Sequence, residues 1–226
     1  MDDELNTLNF WDHTGVDEYH PRTGDLLFFA GNQDSSALIR YFTDSKWSHV
    51  AMVIKNALDD VFYSFEARSD TGKVTLTPLR ERLTSYDGDI SVRPYTKKLS
   101  KRQLRALSRY VKQKIHSPFD TSFKKWMDVV TDHWYYRSPF VRGFLYPTPP
   151  SNARSDDAFF ECRDNRYICS ELVIDALRTI GVDKNASRSI TACMPEDMSE
   201  TSNDDTFRLR DDGPYGPEMP VCGCYE

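Results

Sequence analysis

Apolar and polar positions follow two different rhythms along this chain. In the first half, short apolar runs are divided by turn residues. Leu26-Leu27-Phe28-Phe29 follows the turn pair Gly24-Asp25 and reads as a buried strand. Trp47 to Ile54 reads as a second strand and Val61 to Ala67 as a third, with Asn56 to Asp60 as the turn between them. Shorter strands are expected around Val74–Leu76 and Ile90–Arg93, the latter closed by Pro94. Successive strands with short turns predict an antiparallel meander. Ser35 and Ser36 stand where they would cap a short helix carrying Leu38, Ile39, Tyr41 and Phe42.

From residue 100 the period becomes helical. Ser100-Lys101-Arg102-Gln103 matches a capping box; Leu104, Leu107, Val111 and Ile115 follow at helical spacing, and Pro118 ends the run. A further helix runs from Cys169 to about Ile180, with Leu172, Val173, Ala176, Leu177 and Ile180 as its stripe and Gly181 as the residue after its end. Residues 124–160 hold Trp126, Trp134, Tyr135 and Tyr136 with Pro147, Pro149 and Pro150 near their end, and read as an insertion with a short helix and a Pro-rich loop. Residues 1–22 read as an irregular lead-in and 199–226 as a polar, partly ordered tail. No internal repeat stands out, and the whole, 1–226, is expected to be one α+β domain.

Composition narrows the function. The chain has 226 residues, 29 Lys+Arg against 35 Asp+Glu, and a net charge of −6, which argues against nucleic acid as the main partner. No apolar run approaches the ~18 residues of a spanning helix. The acidic start, Met1-Asp2-Asp3-Glu4, lacks the pattern of a secretory signal. Neither GxxxxGK[ST] nor GxGxxG occurs, so nucleotide binding has no motif behind it. The five cysteines, Cys162, Cys169, Cys193, Cys222 and Cys224, are odd in number and predict reduced thiols in a cytoplasmic setting.

Three residues stand out chemically. Cys169 opens a helix, where the positive helix end and the free N–H groups of the first turn favour thiolate over thiol. The same N–H groups can hold a developing oxyanion. Most free cysteines are small buried apolar residues, and position alone leaves that alternative open. His49 sits inside an apolar strand. Strand parity groups it with Ala51 and Val53 on one face, opposite Val50, Met52 and Ile54. It reads as a core histidine with satisfied partners or as a general base. Glu66, on the neighbouring strand, can reach the same face and hold the imidazole tautomer; the alternative is an exposed strand-end glutamate. Together the three have the spatial logic of a cysteine hydrolase, in an order that is not papain's Cys before His.

The other candidates are weaker. Asp25 is expected to cap the Gly24 turn. Cys222-Gly223-Cys224 offers only two thiols and no nearby His, a poor zinc set. Cys162 has no helix start, and His133 reads as part of a packed insertion. Lys97, Lys98, Lys101, Arg102 and Arg105 make a solvated basic helix face with weak capacity for anionic lipid head groups.

Four stretches occur in a telling order: Gly24-Asp25-Leu26-Leu27-Phe28-Phe29, Ser48-His49-Val50-Ala51-Met52-Val53, Phe65-Glu66-Ala67 and Tyr167-Ile168-Cys169-Ser170-Glu171-Leu172-Val173. This order resembles the circularly permuted papain-like amidases, the YiiX/YaeF-like bacterial group with relatives in poxviruses and other large DNA viruses. In the unpermuted NlpC-type peptidases the Cys helix comes first, whereas no cysteine precedes Cys162 here. Pro118-Phe119-Asp120-Thr121-Ser122-Phe123 is similar to the family's P-Y-D-x-x-F segment, with Phe for Tyr, and Met194-Pro195-Glu196-Asp197-Met198 to its closing P-x-D-L segment.

The resemblance implies Cys169 as nucleophile, His49 as base and Glu66 as third polar residue. The implied fold is a small antiparallel sheet or partial barrel packed against helices. The expected reaction is hydrolysis of an amide, with ester or thioester as options, through an acyl-enzyme and without a metal or organic cofactor. The expected substrate is a peptide, amide-linked or lipid-like acyl compound, with peripheral membrane contact an option and a host cytoplasm or virion as the location if the source is viral. Two alternatives are a lipid acyltransferase or phospholipase of the same fold and an inactive binding or virion protein. The lipid enzymes share N-C-E-H around the nucleophile, where this chain has Ile168-Cys169-Ser170-Glu171. The presence of all three site residues argues against an inactive fold.

Overall fold

A turn and a buried carboxylate start the sheet. In the computed structural model, which describes residues 19–31, 45–121, 165–182, 193–199 and 214–221, Gly24 takes a φ of 103° that favours glycine. Asp25 caps this turn as expected: its Oδ2 accepts from the Arg22 N–H at 2.8 Å and from the Tyr19 hydroxyl at 2.7 Å. Its Oδ1 also accepts from the Tyr95 N–H at 2.7 Å, which ties the turn to a residue far along the chain.

Six strands follow: β1 (Leu26–Gly31), β2 (His49–Lys55), β3 (Phe62–Arg68), β4 (Lys73–Pro78), β5 (Gly88–Arg93) and β6 (Met219–Val221). They form one antiparallel sheet in the order β4-β3-β2-β1-β5-β6. The expected meander holds for β1 to β4. It then breaks: helix α1 (Leu79–Thr84) carries the chain back, and β5 pairs with the other side of β1. Among the described residues the sheet is open, with β4 and β6 as its edges, so it takes the open-sheet form and not the partial barrel also expected.

Both faces of the sheet are covered, which is why its central strands read as unbroken apolar runs. On one face Leu26, Phe28, Val50, Met52 and Phe65 meet helices α2 (Lys101–Lys114) and α3 (Cys169–Thr179). On the other, Leu27, Phe29, Ala51 and Val53 meet Leu79 and Leu83 of α1. Each of these Leu, Phe, Val and Met side chains contributes about 1.5–3 kcal/mol over its exposed state. The Ser100–Gln103 capping box forms as expected, and the Gln103 side chain reaches on to donate to the Ile180 carbonyl at 2.8 Å. Gly181, at φ 71°, ends α3, with Val182 N–H donating to the Leu177 carbonyl at 2.9 Å.

Part of the stretch expected as a polar tail belongs to this framework. Tyr215 bridges to Tyr95 and its hydroxyl donates to the Gly24 carbonyl at 2.8 Å, and β6 pairs along β5. Before it, helix α4 (Pro195–Met198) is buried; Arg93 donates to the Met198 carbonyl at 2.8 Å, and Ser45 to Glu196 at 2.9 Å. The lead-in before residue 19, the helix expected after Ser35, the insertion at 124–160, His133, Cys162, Cys222 and Cys224 lie outside the described residues.

Candidate active site

His49 is the first residue of β2, and Glu66 lies near the end of β3. The β2–β3 ladder runs from Met52↔Phe65 to Lys55↔Phe62. Extended by one residue it sets Ala51 beside Glu66, so His49 is a diagonal neighbour of Glu66 on the same face. Parity thus brings them together as expected: His49 Nε2 lies 2.8 Å from Glu66 Oε2.

The Glu66 carboxylate is fully buried and surrounded by donors. Oε1 accepts from the Ser64 hydroxyl at 3.0 Å and from Arg82 Nε at 2.8 Å, and Oε2 accepts from an Arg82 Nη at 3.0 Å. Burial opposes its charge, but the hydrogen bond and charge of His49, with those of Arg82, outweigh burial and hold Glu66 at about 2.

The third residue arrives from the opposite face. The segment Pro118–Asp120 pairs with Tyr167: Tyr167 N–H donates to the Pro118 carbonyl and Asp120 N–H to the Tyr167 carbonyl, both at 3.1 Å. This docks the chain two residues before Cys169 and sets where α3 begins. Glu171 accepts from the Ile168 N–H at 3.1 Å and closes the first turn. Because the first residues of β2 lie beyond the β2–β3 ladder, the Val50 N–H is available to donate to the Cys169 sulfur, as does the Ser170 N–H.

His49 hydrogen-bonds Cys169 as well as Glu66, so with Nε2 turned to the carboxylate, Nδ1 is the nitrogen left for the sulfur. Burial raises the Cys169 thiol, but the His49 charge and the hydrogen bonds from His49, Val50 and Ser170 bring it below its ordinary value. Burial lowers His49, yet the Cys169 charge and then Glu66 raise it to about 9. A lowered thiol beside a raised imidazole favours the thiolate–imidazolium pair at neutral pH. The Phe29 ring, 5.5 Å from the His49 ring, closes one side, and the His49 side chain keeps 18% exposure. The site is packed yet reachable.

All three residues expected from the sequence are therefore adjacent. Two contributors were not expected: Ser64 and Arg82. Arg82 lies between Leu79 and Leu83 on the buried side of α1, and a charged residue on an apolar helix face is the signal that would have found it. Cys193 is buried within the apolar core.

The model of the permuted papain-like amidase family, YaeF/YiiX, C92, matches residues 20–146. That stretch contains His49 and Glu66; Cys169 lies beyond it. The uncharacterized protein YiiX of Escherichia coli strain K12 is 33% identical over 112 residues, 49% of this chain and 52% of that protein. The match thus spans about half the length of that relative. A crystal structure described as that of metalloprotein yiiX from Escherichia coli O157:H7 aligns over 72% of this chain and 68% of that one, with 23% identity and a TM-score of 0.48. Among the described residues of the present chain, no group of three or more His, Cys, Asp or Glu side chains is arranged to hold a metal ion.

Proposed function

Because this chain belongs to the permuted papain-like amidase family of YaeF and YiiX, we propose that it is a cysteine hydrolase that cleaves an amide bond through an acyl-enzyme on Cys169. The observation that carries the reading is that one imidazole, His49, hydrogen-bonds both a thiol at a helix start and a buried carboxylate.

The steps follow from that arrangement. The Cys169 thiolate attacks the acyl carbon and forms an S–C bond, and the developing oxyanion is stabilised by N–H groups at the start of α3. The His49 imidazolium gives its proton to the leaving nitrogen as the C–N bond breaks. Neutral His49 then takes a proton from water as the water oxygen attacks the acyl-enzyme. The S–C bond breaks, the acid leaves, and the thiolate–imidazolium pair is restored. Glu66 keeps Nε2–H bound throughout, so Nδ1 faces the sulfur. The substrate class that fits is a peptide or other amide-linked acyl compound.

The test uses the full chain with a pool of peptides, and separately with phospholipid vesicles, with products read by mass spectrometry. Amide cleavage that disappears in Cys169→Ala is the expected result. Cleavage that persists in Cys169→Ala, or release from phospholipid only, overturns the proposal.

A further inference from the structure

We propose that Arg82 is a positioning residue of this site: its guanidinium forks onto both oxygens of Glu66, keeps that carboxylate ionised, and turns Oε2 toward His49 so that the imidazole stays aimed at Cys169. The inference rests on the cysteine-hydrolase reading above.

The geometry is that of a built clamp and not of a surface ion pair. Arg82 Nε and an Nη reach opposite oxygens of Glu66 at 2.8 and 3.0 Å, the two-point geometry only a guanidinium supplies. The two side chains are 9% and 0% exposed, so neither is screened by water. The guanidinium also lies over an edge-to-face pair of aromatic rings, its carbon 4.4 Å from the centre of Phe29 and 4.8 Å from that of Tyr86. Phe29 is the ring that packs on His49. Arg82 thus reaches the imidazole by two routes, the carboxylate and the ring behind it.

A buried carboxylate facing an imidazolium alone has a competing state: it can take the imidazole's proton, leaving both neutral. The sulfur would then lose the charge that favours thiolate. The second cation removes that option, because protonating Glu66 would strand the Arg82 charge in an apolar setting. The other charged groups around the cluster do not replace it. Arg68, on β3, interacts with Glu66 but is paired with Asp70, and Asp70 also feels Arg82. Glu81, next to Arg82 on α1, bears on Arg68. On α3, Glu171 is bonded to the Ile168 N–H.

The test measures alkylation of Cys169 in the full chain by iodoacetamide across pH, read on the Cys169 peptide by mass spectrometry. Wild type should label with a limb below the ordinary thiol range. Arg82→Met keeps the stem against Phe29 and Tyr86 and should move that limb up by about one unit, which is about tenfold slower labelling on the acid side. Arg82→Lys, a point charge without the fork, should fall between the two. If Arg82 acts through Glu66, the double variant Glu66→Gln/Arg82→Met should show a limb no higher than that of Glu66→Gln alone. A limb unmoved in folded Arg82→Met, or in Arg82→Lys where Arg82→Met does not fold, overturns the proposal. So does an Arg82→Met effect that adds in full to that of Glu66→Gln. A wild-type protein with no lowered limb would instead overturn the ion pair on which the hydrolase reading stands, whatever the Arg82 variants do.

Discussion

At the scale of single residues, the site is a chain of compensated charges. Burial alone would push the Cys169 thiol and the Glu66 carboxylate up and the His49 imidazole down, and each is reversed by its neighbour. The consequence is a pH profile with a definite sign. Turnover should rise as Cys169 loses its proton, below the ordinary thiol value, and fall as His49 loses its own at about 9. The kcat/KM profile should be a bell with its alkaline limb near that value. A limb near 6.5, the ordinary imidazole value, would show that His49 does not carry a raised pKa in the free enzyme.

At the scale of elements, the site depends on where strands start and helices end. β1 is gripped by β2 and β5, and its last residues press on β5: Gly88, at φ 145°, faces Ala30 so closely that a Cβ there would stand 2.3 Å from the Ala30 carbonyl oxygen. Gly88→Ala should therefore destabilise the fold by about 2 kcal/mol or more, since both the φ and the contact are refused to alanine. Denaturant unfolding measures this; a midpoint within error of wild type would mean that β5 shifts freely against β1. The pattern of the chain already carried most of these elements. The five main strands and both long helices lie where apolar runs, turn pairs and the capping box set them. Three elements were not expected, the four-residue helix α4 among them. Helix α1 is six residues with only Leu79, Arg82 and Leu83 buried, too short for a period to emerge. Strand β6 is three residues containing a proline, and it forms because β5 offers an unpaired edge.

At the scale of the whole molecule, the buried charges link folding to pH. Glu66 has its folded value depressed to about 2, so its contribution is present above the ordinary carboxyl range and is lost as pH falls through that value. The Cys169–His49 pair behaves differently. His49 is raised, so its contribution is present below the ordinary 6.5 and is lost as pH rises through about 9. Cys169 is lowered, so its contribution grows over the range up to its ordinary 9.0. Between those two ordinary values the terms oppose one another, because the folded pair shares one proton just as the unfolded pair does. Thermal stability should therefore fall steeply below about pH 4.5 and show little slope from the pair between about 6.5 and 9. Glu66→Gln, which strands the Arg82 charge, should melt lower at neutral pH but lose less on acidification. An acid slope as steep as wild type in that variant would show that other carboxylates govern the loss.

The sequence by itself determined the longer elements and the facing of their side chains. Strand and helix periods are local properties, so the side of β2 on which His49 lies, and the thiol at the start of α3, follow from short runs of residues. The tertiary structure decided what those faces meet. The meeting of Cys169 with His49 depends on Pro118–Asp120 docking the chain just before α3, the return of β5 depends on the free edge of β1, and the clamp of Arg82 on Glu66 depends on α1 folding under the sheet. These are contacts between distant segments, set by which buried charges and open edges can satisfy one another, and no local pattern encodes that choice.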